Sequence, residues 1–355
     1  VHSLHCHGGG WPEPEDSVDI MEGGAAEGGG RGEEEASRLR AERLERKKAS
    51  KEAKAQKREK KQERKQEESE EVLVSRLPDW ASYVDRYDGQ DRLRPFSDLK
   101  DAESDERRDR FIAEGPETLI LLLQSSLEVV SLLVKPAVLN RITPAIEEYT
   151  TRTGSRPQVF VMHKARMQQV VGYPVERGAL GCGVKPVERD MDWVTGTYVP
   201  TLRSEGTCVR VLAIEKSFDS ANLGGMIRTA RAFGIHFVLL GEGSCDVWYR
   251  RAVRCSMGHL FKMPVVRVPS MADALAALQA SEITSYAAVI DLKAPALGGM
   301  AKVGGGAGWC VLMGNEDSGV SEDCMRACES AVRILMHPEV DSLNVGVACG
   351  VLLNG

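Results

Sequence analysis

Six short apolar runs recur after Thr207, and polar or helical segments separate them. The runs are CVRVLAI, HFVLL, PVVRV, YAAVI, WCVLM and AVRIL. Continuous apolar strands that alternate with helical stretches are typical of a mostly parallel sheet covered on both faces. The pattern therefore predicts an α/β domain over residues 208–355. Its last helical run reaches Gly355, so we expect the domain to be truncated there.

A shorter alternation of strands and helices precedes this domain. Phe111-Ile112 and Val129–Val134 are strand candidates, and Gly115-Pro116 marks a turn into a helix. A second strand and helix follow in Pro157–Gly172, and a small strand closes the unit in Gly178–Pro186. These signals predict a small α/β domain over residues 103–190, with residues 191–207 as a linker.

The first 75 residues have a different composition. They begin rich in Gly, Glu and Pro and continue as Glu, Lys, Arg, Ala and Gln with few large apolar residues. Such a segment buries too little apolar surface to offset its conformational entropy, so we predict a disordered or helical charged arm. Its basic run, Lys47–Lys65, suits either phosphate contact or a solvated tail. Residues 76–102 are predicted to be a linker.

Composition excludes several classes of function. The net charge of −6 hides opposed acidic and basic runs in the first third, so it argues only weakly against RNA. Nine cysteines without a CxxC pair indicate a reduced compartment and predict no metal site.

No apolar run approaches the roughly 18 residues of a membrane span, so no membrane partner is expected. We expect a cytoplasmic protein, although a basic arm also suits the nucleus or an organelle. Motifs for phosphate-binding loops, zinc proteases and serine hydrolases are absent.

The first of three candidate clusters for chemistry is Lys216–Gly234, which follows the first run. Leu223, Met226, Ile227, Ala230 and Phe233 make one apolar stripe at helical spacing, and Arg228 projects away from it. We interpret Asn222 as the N-cap and Gly224-Gly225 as a point of close approach. A capped amphipathic helix with a solvent-facing arginine explains the same pattern.

Two further clusters follow the fifth and sixth runs. Gly314-Asn315-Glu316 ends a buried strand, Gly319 gives a tight turn, and Ser321 is a predicted helix cap. In the third cluster, Ile334-Leu335-Met336 ends a strand and Ser342-Leu343-Asn344 starts a helix. Polar groups at strand ends and apolar residues beside them suit a ligand crevice, but ordinary capping and packing explain them equally well.

Together the three clusters resemble the SpoU-like, or TrmH-type, branch of the SPOUT RNA methyltransferase superfamily. The family pattern N-x-G-x-x-x-R-T-A-x-A-F-G is met by Asn222–Gly234, G-x-E-x-x-G by Gly314–Gly319, and S-L-N-V by Ser342–Val345. The segment Arg254–Val265 also resembles a family motif, and Arg107–Leu119 resembles the start of a ribosomal-protein-like RNA-binding domain. Leu335 and Gly346 depart from the usual residues.

The resemblance implies a trefoil-knotted C-terminal domain with a mostly parallel sheet, which binds S-adenosylmethionine and acts as a homodimer on rRNA or tRNA. It implies that Arg228 activates or positions the ribose hydroxyl, and that the orienting residues are Asn222, Glu316, Ser342 and Asn344. The implied cofactor contacts are Leu312, Gly314, Ile334, Met336, Leu343 and Ala348. Because guanidinium normally stays protonated, Arg228 acts either as a phosphate-assisted base or only by fixing charge.

RNA contacts are expected at four basic residues. They are Arg107, Arg108, Lys164 and Arg254, although surface basic residues are more often simply solvated. The expected function is S-adenosylmethionine-dependent 2′-O-ribose methylation. The alternatives are a non-catalytic RNA-binding or ribosome-assembly protein on the same fold, and base methylation on a related fold, against which Asn222 and Arg228 argue.

Overall fold

The computed structural model describes residues 77–84, 91–97, 99, 109–297 and 308–354. The predicted arm, residues 1–75, lies outside them. The strands of the described part are β1 Ala81–Tyr83, β2 Arg110–Glu114, β3 Val129–Val134, β4 Gln158–Val161, β5 Ala179–Val184, β6 Val209–Ile214, β7 Phe237–Gly241, β8 Val265–Val268, β9 Ile283–Ala288, β10 Gly308–Met313 and β11 Ser330–Val332. The α-helices are α1 Pro116–Leu123, α2 Pro136–Thr153, α3 Lys164–Val171, α4 Met191–Trp193, α5 Val199–Ser204, α6 Ser220–Ala232, α7 Arg250–Cys255, α8 Met271–Ala280, α9 Glu322–Ala327 and α10 Val345–Asn354.

The N-terminal strands of the described part form a mixed sheet in the order β1-β4-β3-β5-β2. β1 and β3 pair parallel to β4, whereas β5 pairs antiparallel to both β3 and β2. The apolar residues Leu119, Leu122 and Ile142 are fully buried against this sheet. The strand predicted at Val129–Val134 is confirmed. β1 falls within the predicted linker 76–102, and the domain boundaries stay a prediction.

The C-terminal strands form a parallel sheet in the order β11-β9-β10-β6-β7-β8 over the described residues. The mostly parallel α/β sheet predicted from the six apolar runs is thus confirmed. Alternate residues of its strands face opposite layers: Leu212 and Val311 belong to one core cluster, and Val211 and Cys310 to the other. Both faces are apolar because helices cover both sides.

Helices occupy most of the predicted linker 191–207. α4, a π-helical turn at Val194–Tyr198 and α5 form one run. Val194 and Val199 from this run are buried against the second core cluster. The segment therefore helps to cover one face of the parallel sheet.

The two sheets are joined by contacts between β2 and the region around α7. The ring of Phe111 lies 4.7 Å from that of Trp248 and 5.4 Å from that of Phe261, measured between centroids. The buried carboxylate of Glu114 lies 3.5 Å from the guanidinium of Arg250. Aromatic packing and a partly buried ion pair thus fix the smaller sheet against the larger one. Among the described residues, no helix is long and apolar enough to cross a membrane.

Candidate active site at the end of the parallel sheet

A cavity of about 430 Å³ opens at the carboxyl ends of β9, β10 and β11. Its walls come from the turn after β9, the loop after β10, the segment after β11 and one side of α10. The lining residues are Ala288, Val289, Ile290, Asp291, Met313, Gly314, Asn315, Glu316, Asp317, Ser318, Gly319, Val320, Val332, Ile334, Met336, Ser342, Leu343, Val345, Ala348 and Leu352. The second and third sequence clusters therefore meet at one crevice, where parallel sheets commonly bind ligands.

Most of the predicted cofactor contacts lie on this cavity. They are Gly314, Ile334, Met336, Leu343 and Ala348. Leu312 does not line it, because its side chain is fully buried in the core cluster on the other face of the sheet. Successive strand residues point to opposite faces, so its neighbour Met313 lines the cavity instead.

The loop after β10 is a tight hydrogen-bonded turn. The N–H groups of Asn315 and Gly319 each donate to the other residue's carbonyl oxygen at 2.9 Å. The Oδ1 of Asn315 accepts from the N–H groups of Asp317 and Ser318 at 3.0 and 3.1 Å. A Cβ added at Gly314 would lie 2.3 Å from the carbonyl carbon of Gly319. The loop can therefore close only when residue 314 is glycine.

A polar network joins this loop to α6 and to the start of α10. Glu316 Oε1 accepts from Ser217 Oγ at 3.2 Å and from Asn222 Nδ2 at 3.3 Å. Asn222 Oδ1 accepts in turn from Asn344 Nδ2 at 3.1 Å. Three residues predicted from different clusters, Glu316, Asn222 and Asn344, are thus brought together, and Ser342 lies on the adjacent cavity wall.

The start of α6 differs from the sequence prediction. The N-cap is Asp219, whose Oδ1 accepts from the N–H groups of Ala221 and Asn222. The interpretation of Asn222 as the cap is therefore wrong. Because Asp219 already satisfies the helix end, the Asn222 side chain can bond to Glu316 and Asn344.

The close approach of another backbone that was predicted at Gly224-Gly225 of α6 is confirmed for Gly224 alone. A Cβ there would lie 2.3 Å from the carbonyl oxygen of Ala252 in α7, whereas Gly225 has no atom within 4 Å of such a Cβ. The first glycine of the pair therefore allows α6 and α7 to pack in contact.

The predicted basic residues lie away from the cavity lining. Arg228 is exposed on α6, Arg254 is exposed on α7, and Lys164 is exposed at the start of α3. Burial lowers the pKa of His259, and the nearby charges of Arg228, Arg231 and Lys262 lower it further. Arg228 thus belongs to a basic surface near His259. Arg107 and Arg108 lie outside the described residues.

Two residues, Ser217 in the network and Asn315 in the turn after β10, were not among the predicted site residues. Ser217, which lies between Lys216 and Phe218 in the chain, is almost completely buried. Nothing in the local sequence predicts its hydrogen bond to Glu316. Asn315 is also buried, and its position next to Gly314 at a strand end was the available signal. Among the described residues, no group of His, Cys, Asp and Glu is arranged to hold a metal ion.

Comparisons with known proteins agree with this geometry. Residues 210–354 match the model of the SpoU rRNA Methylase family. A 23S rRNA (guanosine(2553)-2′-O)-methyltransferase, RlmP of Bacillus subtilis, is 32% identical over 41% of this chain and 57% of its own length. A 23S rRNA (uridine(2479)-2′-O)-methyltransferase of Streptomyces viridochromogenes is 29% identical over 39% of this chain and 49% of its own length. The chain thus spans about half the length of these relatives.

Solved structures support the fold over a longer part of the chain. An rRNA methyltransferase from Sinorhizobium meliloti superposes with a TM-score of 0.61 at 20% identity, covering 77% of this chain and 96% of that one. The SpoU methyltransferase AviRb from Streptomyces viridochromogenes gives a TM-score of 0.56 at 20% identity, covering 75% of this chain and 95% of that one. These matches extend the similarity in fold beyond the region that the family model covers.

Proposed function

We propose, from the match of residues 210–354 to the model of the SpoU rRNA Methylase family, that the chain belongs to this family and is an S-adenosylmethionine-dependent enzyme that methylates ribose 2′-hydroxyls of rRNA or tRNA. The observation that carries the proposal is the apolar cavity at the strand ends, with the Glu316–Asn222–Asn344 network beside it. The names of the curated relatives, which are 23S rRNA 2′-O-methyltransferases, support the reaction type.

The residues present fit the proposed methyl donor. The cavity volume of about 430 Å³ falls within the roughly 300–1,000 Å³ of small-molecule sites. Apolar side chains such as Ile334 and Leu343 suit a flat purine, and Asp291 and Asp317 on the lining suit a ligand that carries positive charge.

The network has a defined task in methyl transfer. When bound, S-adenosylmethionine supplies an activated methyl group on a sulfonium, so the protein needs mainly to align a ribose hydroxyl and manage its proton. Asn344 and Glu316 hold the Asn222 amide from both sides, with its Nδ2 donating to Glu316. The exposed Glu316 carboxylate is a strong acceptor for the hydroxyl proton, and Ser342 borders the same space.

Arg228 completes the proposed site from a second copy of the chain. In a homodimer, the Arg228 of one copy reaches the cavity of the other and fixes a phosphate or developing charge, or shares the hydroxyl proton with a phosphate as base. Exposed apolar residues support such an association: Val347 and Val351 on α10 are 54% and 38% exposed. Covering this apolar surface would stabilise the dimer.

Two structural proposals accompany this function. We propose that the segment between β11 and α10 is threaded to form a trefoil knot. The position of β11 beside β9, combined with the packing of α10 against α6, supports this path. We also propose that the smaller sheet is a ribosomal-protein-like RNA-binding domain in a cytoplasmic protein. The exposed Lys164 is its candidate phosphate contact, with Arg107 and Arg108 upstream, and the exposed Arg254 on α7 is a further candidate in the larger domain.

Donor binding and methyl transfer test the function separately. We expect isothermal calorimetry to detect S-adenosylmethionine at micromolar protein, and labelled methyl to appear on ribose when rRNA and tRNA are added. Nucleoside mapping by mass spectrometry distinguishes ribose from base methylation. No donor binding would contradict the enzyme, and donor binding without transfer to any RNA would favour the non-catalytic alternative. Full turnover by Arg228→Ala would remove Arg228 from both of its proposed roles.

Mixing two inactive variants tests whether each active site is shared between two copies of the chain. Arg228→Ala and Glu316→Ala each remove one half of the proposed machinery. If the halves come from different copies, random re-association leaves one intact site in each mixed dimer and restores about a quarter of the wild-type activity. A mixture that stays inactive, with mixed dimers demonstrated by differential tagging, would refute the shared site.

A further inference from the structure

The loop that follows β6 holds an exposed aromatic ring beside the polar network. Ser217, at the centre of this loop, is 1% exposed and is fixed by all of its polar groups. Its N–H donates to Ser244 Oγ at 3.1 Å, and its carbonyl accepts from the Cys245 N–H at 2.9 Å. Its hydroxyl donates to Glu316 at 3.2 Å. The loop is therefore rigid and is tied directly to the candidate site.

The two neighbours of Ser217 point to solvent. Phe218 is 59% exposed, although a phenylalanine gains most by burial. The Lys216 ammonium lies 5.1 Å from the centre of the Phe218 ring. A Cβ added at Gly243 would lie 3.2 Å from Lys216 Cε, so the lysine stem rests on the Gly243 turn. Asp219, next along the chain, caps α6. The ring and the ammonium are thus held as a pair on a fixed support.

We infer that Phe218 stacks on an unpaired base of the substrate RNA next to the target ribose, while Lys216 contacts the adjoining phosphate. The inference rests on the proposed function and names a nucleotide subsite for it. Bases splayed from single-stranded RNA stack on aromatic side chains, and neighbouring basic groups bind the backbone. A ribose held at Glu316 leaves its flanking nucleotide beside Phe218, because Ser217 bonds to Glu316 and precedes Phe218 in the chain.

Charge favours RNA over an apolar protein partner at this position. Protein interfaces are depleted of charged residues at their apolar core. Phe218 instead has the Lys216 ammonium against its ring. An exposed aromatic ring with an ammonium beside it matches a base and its phosphate.

Fluorescence of a stacked base provides the test. The probe is a single-stranded oligoribonucleotide of mixed sequence that carries one 2-aminopurine, titrated with the full chain. We expect the wild-type protein to quench the probe. Phe218→Ala should lose the quenching and weaken binding about tenfold, within the range measured for base–aromatic stacking. Phe218→Tyr should behave as wild type, and Lys216→Gln should lower the salt-dependence slope by about 1.

Two controls separate stacking from other causes. Phe218→Leu keeps an apolar side chain without a ring face, so it should fail as Phe218→Ala does. Val187→Ala removes another apolar side chain, 85% exposed, and should leave binding and quenching unchanged. Full binding by Phe218→Leu, or a change in self-association of Phe218→Ala by sedimentation, would overturn the inference in favour of an apolar protein contact.

Failure of the stacking role of Phe218 can be distinguished from failure of the proposed enzyme function. Methyl transfer by the wild type, with kcat, KM and quenching all unchanged in Phe218→Ala, would refute the stacking role and leave the enzyme standing. Quenching that depends on Phe218 without methyl transfer would support the subsite and refute the enzyme. A wild-type protein that does not quench the probe overturns the inference, whatever the methylation result.

Discussion

The paired glycines of α6 allow a sharp prediction about how this helix is held. Gly224→Ala places a Cβ 2.3 Å from the backbone carbonyl oxygen of Ala252, and 2.8 Å from Cys255 Cβ. Gly225→Ala places the same atom in open space. Because both positions lie inside the same helix, the two variants share the backbone effect and differ in their contacts. We expect them to change stability in opposite directions.

The magnitudes follow from these contacts. Replacing glycine by alanine inside a helix gains about 0.8–1.0 kcal/mol, and Gly225→Ala should show this gain. At Gly224 the same gain is opposed by overpacking, which typically costs about 1–3 kcal/mol. Relieving a 2.3 Å contact to the ordinary 3.4 Å requires a displacement of 3.4 − 2.3 = 1.1 Å between α6 and α7. Since backbone atoms cannot rotate away, we expect about 3 kcal/mol of contact cost and about 2 kcal/mol of net destabilisation.

Urea and thermal denaturation, both followed by far-UV circular dichroism, measure the two variants. The difference between them cancels the helix-propensity gain and reports the Ala252 contact directly. At about 2–4 °C per kcal/mol for a domain of this size, their melting temperatures should differ by roughly 6–12 °C. If Gly224→Ala is at least as stable as Gly225→Ala, with equal m-values, the close packing of α6 on α7 is refuted.

Three further predictions concern the cavity, the network and the contact between the sheets. Gly314→Ala should weaken S-adenosylmethionine binding at least about tenfold by calorimetry, because its Cβ would lie 2.3 Å from Gly319 and force the loop open; unchanged affinity would contradict the tight turn. Glu316→Gln should lower the methyl-transfer kcat by roughly 100-fold with donor affinity retained, and an equal loss of both would indicate a structural role instead. The Tyr173 hydroxyl donates to Glu114 at 3.5 Å, and burial, then the Glu114 charge, raises the pKa of Tyr173 to about 12, so folding favours the protonated phenol. The stability it contributes is complete below about pH 10 and is lost as the pH rises to about 12; Tyr173→Phe should flatten that part of a melting-temperature profile, and an identical slope would refute the coupling.

The strands of the parallel sheet could be predicted from the sequence, but the face of the sheet to which each residue points could not. Six apolar runs were sufficient to place β6 to β11 because Arg210 is the one exposed residue in these strands. The same property hides which face borders a cavity, since a strand buried on both sides has no polar alternation. Leu312 and Met313 are both apolar and adjacent, and only their positions in the folded sheet distinguish a core residue from a cavity residue.

The polar network shows a second limit of sequence reasoning. The run Asp219-Ser220-Ala221-Asn222 contains three residue types that cap helices, so composition alone could not choose the cap. The bond between Ser217 and Glu316 joins residues 99 positions apart. Periodicity is a local signal and carries no information about such a pair. Glu316 and Asn344 were predicted through the family resemblance, which records long-range proximity that local patterns lack.

The geometry of α6 explains why one chain alone leaves the predicted machinery divided. Asn222 and Arg228 are six positions apart, which corresponds to about 240° of helical rotation, or 120° between their directions, and a rise of about 9 Å. Asn222 faces Glu316, so Arg228 must face elsewhere, and it does lie exposed near His259. Bringing both side chains to one ribose within a single copy would require α6 to rotate, which the contact of Gly224 with α7 opposes. In the proposed homodimer, a second copy that presents its own Arg228 would remove this conflict without moving the helix, and the exposed valines of α10 provide apolar surface for it to cover.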